Sequence, residues 1–205
     1  MPLFYQHNIH GKARLAVWHI TEDEAFFLKR VTLQNSITHW HKRLQHLAGR
    51  YLLKELYADF PCELIEIANT KKPFLPGEKY HFSISHCGNY AAAIISESLR
   101  TGIDVELITS KIEKIKNKFL SPAELSVIDH ESLADLTLLW SCKEAVYKWY
   151  GDGGLDFKKN MVVKNRMAQQ NSTGQIECVF TKDIERLLLL DYNFFENLCL
   201  VWVAG

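Results

Sequence analysis

The chain has no CxxC pair, and its five cysteines (Cys62, Cys87, Cys142, Cys178 and Cys199) are odd in number and widely scattered. This argues against both a disulfide framework and a thiolate zinc site. An excess of charge is also missing. Twenty-four basic side chains balance 24 acidic ones, so the overall charge points to neither a nucleic-acid-binding tail nor a polybasic membrane patch. Long apolar runs are absent too, since stretches such as LLLL at 187–190 are far too short to span a bilayer. No basic-then-apolar leader is read at the start of the sequence. The resulting expectation is a protein of the reducing cytoplasm with no membrane and no nucleic-acid partner. What is present is apolar bulk: 205 residues at 47% hydrophobic content can bury a substantial core, as one domain or as two small lobes.

Along the chain, ARLAVWHI (13–20) reads as a strand, and Thr21 with Glu24 forms a T-x-x-E capping signal for a short helix. From Ser36 to about Tyr57, Ile37, Trp40, Leu44, Leu47, Tyr51 and Leu52 recur at three- and four-residue steps, which predicts an amphipathic helix. CELIEIA (62–68), HFSIS (81–85) and YAAAIIS (90–96) read as strands, the last two joined by the turn HCGN. Helical stretches are expected at 111–119, at 122–130 behind the Ser121-Pro122-x-Glu124 capping signal, and from about Ser132 to Tyr150, ending at Gly151. Four further strands are expected at 157–164, 174–181, 185–192 and 197–203. Each half therefore offers a strand, then helices, then strands. That order predicts an α+β protein of two similar lobes, 1–99 and 100–205, with helices packed on mostly antiparallel sheets.

The junction between these halves carries the chemistry. In TGIDVELI (101–108) two carboxylates, Asp104 and Glu106, sit two residues apart in an otherwise apolar strand and so project from one face. At roughly 4 Å and an effective dielectric near 20, such a pair repels by about 4 kcal/mol. A basic side chain, a shared proton or a metal cation could offset this. Clefts between lobes are favoured ligand sites. WSCKEAVYKWYG (140–151) adds a third carboxylate, Glu144, one helical turn from Lys148. Read plainly that is a surface ion pair, but three carboxylates also suit Mg²⁺ or Mn²⁺. His39, His41 and His46 do not make a metal cluster, because residues two apart do not share a helical face.

GIDVE followed by WSCKEAVYK resembles the paired signature of the 4'-phosphopantetheinyl transferases, G-x-D-x-E and W-S-x-K-E-x-x-x-K. KKPFLP (71–76), FSISHCGNY (82–90) and KFLSPAEL (118–125) resemble further segments of that family, and together these cover about residues 43–150. The length resembles the longer, surfactin-synthetase-activating type, a monomeric pseudo-dimer. The resemblance implies transfer of phosphopantetheine from coenzyme A to a serine of an acyl or peptidyl carrier protein, with release of 3',5'-adenosine bisphosphate. It implies that Asp104, Glu106 and Glu144 hold Mg²⁺ (or Mn²⁺) against the pyrophosphate, with Glu144 as the base, directly or through water, and Lys148 beside the phosphate. It further implies that Lys72 and His86 bind the 3'-phosphate of coenzyme A with Ser85 close to the nucleotide; Lys143, beside the metal ligand, and Arg50, on the first long helix, are further candidates to meet phosphate. Cys87 departs from the pattern, standing where a small hydroxyl residue is common.

SKIEKIKNKFL (110–120) alternates lysines with Ile112, Ile115 and Phe119. It reads either as a plain amphipathic helix or, following the resemblance, as a surface steering an acidic carrier helix. Two other classes are weighed: a metal-dependent phosphohydrolase or nucleotidyl enzyme, and a non-catalytic carrier-binding protein. Residues 151–205 carry no motif.

Overall fold

The structure, a computed structural model, describes residues 2–33, 37–77, 79–169 and 172–205. The chain forms two compact units, Met1–Thr101 and Gly102–Gly205. Both are α+β, with antiparallel pairing between strands.

The first unit comprises β1 (Leu3–Ile9), β2 (Ala13–His19), α1 (Glu24–Leu28), α2 (Trp40–Leu56), β3 (Glu66–Ile67), β4 (Pro73–Phe74), β5 (His81–Cys87) and β6 (Tyr90–Ser96). Its main sheet runs β1-β2-β6-β5, each pairing antiparallel. The expected hairpin is present: Cys87 pairs with Tyr90 across a turn in which Gly88 takes a positive φ of 47°. Helix α2 lays Leu47, Ala48, Leu52 and Leu53 onto a core shared with Ala91, Ala93 and Ile95 of β6. It approaches β5 so closely that a Cβ on Gly49 would meet Ile84 at 2.6 Å.

Three expectations shift here. Asp23, not Thr21, caps α1, its carboxylate accepting from the Phe26 amide at 3.0 Å. Helix α2 begins at Trp40, with His39 as its cap; the expected start, Ser36, lies outside the described residues. The 62–68 segment is a 3₁₀ turn (Cys62–Leu64) followed by the two-residue β3, because its one partner strand is Pro73–Phe74 and proline has no N–H to extend a ladder.

The second unit comprises β7 (Thr101–Leu107), a 3₁₀ turn at Ser110–Ile115, α3 (Lys116–Phe119), a 3₁₀ turn at Pro122–Glu124, α4 (Leu133–Tyr150), β8 (Met161–Ala168), β9 (Thr173–Thr181), β10 (Glu185–Phe195) and β11 (Leu198–Ala204). The sheet order is β7-β11-β10-β9-β8. Helix α4 is capped by Ser132, whose hydroxyl accepts from the Asp135 amide, and ends where Gly151 turns left-handed at φ 86°. Its apolar residues Leu139, Cys142, Ala145, Val146 and Trp149 enter a core with Ile176, Cys178, Phe180 and Val201.

The helix expected at 122–130 contracts to one turn because Glu124 folds inward and is fully buried. Strand β8 starts later than expected, since Asp156 first closes a local turn, accepting from the amides of Lys158 and Lys159. Among the described residues, no helix is long and apolar enough to cross a membrane.

Candidate active site

In the second unit, the G-x-D-x-E glycine sets the geometry. A Cβ on Gly102 would clash with the backbone oxygen of Ala145, so only glycine lets β7 lie directly against α4. That close approach carries Asp104 and Glu106 up to the face of α4 that bears Glu144 and Lys148. Asp104 is 2% exposed, and the Lys148 ammonium donates to its Oδ1 at 2.6 Å. The Trp140 indole N–H donates to Glu106 Oε1 at 3.4 Å.

The electrostatics show that the carboxylates feel one another. Burial first, and the charge of Asp104 second, push Glu106 up to about 7; Glu144 adds to the rise, while Trp140 and Lys148 oppose it. Burial and Asp104 likewise push Glu144 up to about 7 against Lys148. Among the described residues, these three acids share the ammonium of Lys148. The hard oxygen donors fit a divalent ion of the Mg²⁺ kind. Among the described residues, however, no three His, Cys, Asp or Glu side chains are already gathered as a metal-holding set.

In the first unit, α2 and β5 bound a cavity of ≈ 210 Å³ whose polar lining is His46, Arg50, Lys71 and His86, with Ile84 and Ile37 among its apolar walls. The rings of His46 and His86 lie 5.4 Å apart.

Comparison with known proteins bears on the second unit most directly. Residues 100–196 match the family model of the 4'-phosphopantetheinyl transferase superfamily. This stretch belongs to that superfamily. Enterobactin synthase component D of Escherichia coli (strain K12) is 37% identical over 122 residues, covering 52% of this chain and 54% of that protein. The 4'-phosphopantetheinyl transferase HetI of Nostoc sp. is 28% identical over 129 residues, 55% of this chain and 54% of that one. The 4'-phosphopantetheinyl transferase AcpT of Salmonella typhi is 29% identical over 116 residues, 54% of this chain and 60% of that one. The chain spans about half the length of the curated relatives it matches.

The superfamily stretch contains Asp104, Glu106, Glu144 and Lys148, and the structure brings these four together. Lys143 lies in the same stretch but points elsewhere. It is 0% exposed, and its ammonium donates to Phe119 O at 2.6 Å, Phe157 O at 2.8 Å and Glu124 Oε2 at 2.9 Å. All three N–H donors are thereby engaged, which corrects the expectation of a coenzyme A ligand. A helical neighbour of Glu144 is turned by about 100° and here faces the core. Glu124 closes this node, accepting also from the Ser121 amide and hydroxyl and the Val163 amide.

Arg50, Lys72, Ser85 and His86 lie outside the matched stretch. Arg50 and His86 line the first-unit cavity. Lys71 lines it where Lys72 was expected: the chain turns left-handed at Lys71, φ 69°, and the Lys72 carbonyl accepts from the Ala68 amide. Ser85 is buried, and strand alternation sets it on the face of β5 opposite Ile84 and His86. His46 and Lys71 were not anticipated at this site. The His46–Arg50 spacing, i to i+4 on one helical face, is the signal that could have found His46.

Proposed function

We propose that this protein transfers the 4'-phosphopantetheine arm of coenzyme A to a serine hydroxyl of an apo carrier protein, with Mg²⁺, releasing 3',5'-adenosine bisphosphate. The observation that carries this reading is the cluster of Asp104, Glu106 and Glu144 around a single ammonium, Lys148, inside the superfamily stretch. Asp104, Glu106 and Glu144 would hold the ion, and its charge would offset the negative charge developing on the pyrophosphate. Lys148 would turn its ammonium to the phosphate that leaves or is transferred. Glu144 would also take the proton of the attacking serine, directly or through water.

In this reading the first-unit cavity, with Arg50 and His86, receives the 3'-phosphate of coenzyme A; Lys71 lines it in place of Lys72, and Ser85, on the other face of β5, takes no part in that seat. The two units are a pseudo-dimer, supported by their shared plan of one long helix on an antiparallel sheet. The protein works as a monomer in the cytoplasm. Lys111, Lys114 and Lys118 are exposed while Ile112 and Phe119 are buried, an arrangement that suits an acidic carrier surface.

Incubation with coenzyme A, Mg²⁺ and apo carrier proteins, followed by mass measurement of the carrier, tests the reading. The expected result is a gain of one phosphopantetheine, abolished by chelator and by Asp104→Ala. A coenzyme A-dependent mass gain on none of several carriers sinks the proposal and favours a phosphohydrolase or a non-catalytic carrier-binding protein.

A further inference from the structure

Glu106 depends on one neighbour for its orientation. Among the described residues, the one hydrogen-bond donor to its carboxylate is the Trp140 indole N–H, at 3.4 Å. Asp104 and Glu144 both oppose its charge, and a flexible glutamate side chain that meets like charge gains by swinging away from it. What keeps it with the other acids is therefore the direction in which the indole N–H points.

Two phenylalanines set that direction. Trp140 is half-buried on α4, and its ring meets Phe119 at 5.3 Å and Phe157 at 5.4 Å between centroids. Phe119 is fully buried and belongs to the core. Phe157 is of another kind, since it stands outside every helix and strand and is only half-buried. The turn that carries it is nonetheless firmly tied. Asp156 accepts from the amides of Lys158 and Lys159 at 2.8 and 3.0 Å, and its carbonyl accepts from the Asn160 amide at 2.8 Å. From this base the Phe157 ring lies against two rings of α4 that are two turns apart, Trp140 and, at 5.9 Å, Tyr147. An indole has few rotamers, and rings packed against it remove most of those that remain.

We propose that Phe157 is a positioning residue of the acid cluster, holding the Trp140 indole so that its N–H keeps Glu106 with Asp104 and Glu144. The inference rests on the reading of these three acids as the seat of a divalent ion, and goes beyond it by giving a role to the segment after Gly151, which carries no motif. A side chain that orients a metal ligand contributes to ion affinity without touching the ion. Packing alone asks only for an apolar side chain at position 157. Orienting the indole asks for a ring.

Mn²⁺ titration of the full chain at pH 7.5, followed by the electron paramagnetic resonance signal of the free ion, reads this without turnover. Phe157→Leu is expected to weaken Mn²⁺ binding about tenfold, and Phe157→Tyr, which keeps the ring, to restore it. Trp140→Phe, which keeps a ring on α4 and drops the N–H, should weaken binding by a similar factor, and adding Phe157→Leu to it should change nothing further. A purely structural role would lower the urea midpoint of Phe157→Leu and leave the Mn²⁺ affinity of the folded protein where it was. That result overturns the inference, as does a Phe157→Leu effect that persists in full beside Trp140→Phe. Unchanged affinity in Trp140→Phe overturns it whether or not Phe157→Leu folds. Its failure is distinct from that of the transferase reading. Carrier modification by a protein whose Mn²⁺ affinity ignores Phe157 sinks this inference alone. Mn²⁺ binding that depends on Phe157, with no carrier modified, sinks the transferase reading alone.

Discussion

Adjacent residues of one signature do unlike work. Glu144 joins the acid cluster, while Lys143 is spent on Glu124 and two carbonyls in a fully buried node. Removing one partner of a buried pair leaves the other charge uncompensated, at a cost of about 3–5 kcal/mol. Lys143→Met should therefore lower stability by that order in urea unfolding. Any loss of activity should track the unfolded fraction, with KM for coenzyme A unchanged in the folded protein. Gly102 is a second residue whose role is steric. Gly102→Ala forces β7 and α4 apart and should cost about 2 kcal/mol or more. Because the same shift separates Asp104 from Lys148, kcat should fall further than stability alone accounts for, as single-turnover measurement on the folded enzyme would show.

At the scale of elements, two contacts set the candidate sites: β7 against α4, permitted by Gly102, and α2 against β5, permitted by Gly49. Each long helix presents residues four apart to its site, Glu144 with Lys148 and His46 with Arg50. The segment from Ser110 to Phe119 is less regular than its periodicity suggested, a 3₁₀ turn running into one turn of α-helix. Its alternation nevertheless sorts Ile112 and Phe119 inward and leaves Lys111, Lys114 and Lys118 in water, with Lys116 half-buried. Lys114→Glu with Lys116→Glu should raise KM for an acidic carrier about tenfold and make that interaction less salt-dependent, with affinity for coenzyme A unchanged. Equal loss of both affinities would count against a docking role.

Over the whole molecule the charges cancel, so pH dependence falls to the few shifted groups. Glu106 and Glu144 both rise from 4.5 to about 7. Between those values the folded protein holds more protons than the unfolded chain, so their contribution to stability is full below about pH 4.5 and is lost as pH rises through 7. At about 1.4 kcal/mol per pH unit, two rises of roughly 2.5 bound the loss at about 7 kcal/mol for the pair. His46, lowered from 6.5 to about 4, contributes with the opposite sign between those values, so thermal unfolding should show the falling slope most clearly from pH 6.5 to 7.5, and Glu106→Gln with Glu144→Gln should flatten it. Mg²⁺ should raise Tm at pH 7.5, where both carboxylates are ionised, and have little effect at pH 5. A Tm equally insensitive to Mg²⁺ at both values would remove the carboxylates as an ion site.

Much of this was legible locally. Alternation and capping marked β2, β5, β6 and α4, and the spacing within GIDVE and WSCKEAVYK put Asp104, Glu106, Glu144 and Lys148 on shared faces before any contact was known. Strand β1 left no such mark, because Leu3–Ile9 is largely exposed on both faces and pairing alone makes it a strand. The tertiary structure decided the directions that periodicity leaves open. It turned Lys143 into the core, Glu124 inward in place of a longer helix, Lys71 rather than Lys72 to the cavity, and His46 to face His86. Periodicity assigns a residue to a face, but what that face meets is settled by packing between segments distant in the chain. Burial and neighbouring charge, which fix how these groups titrate, exist only once those segments have met.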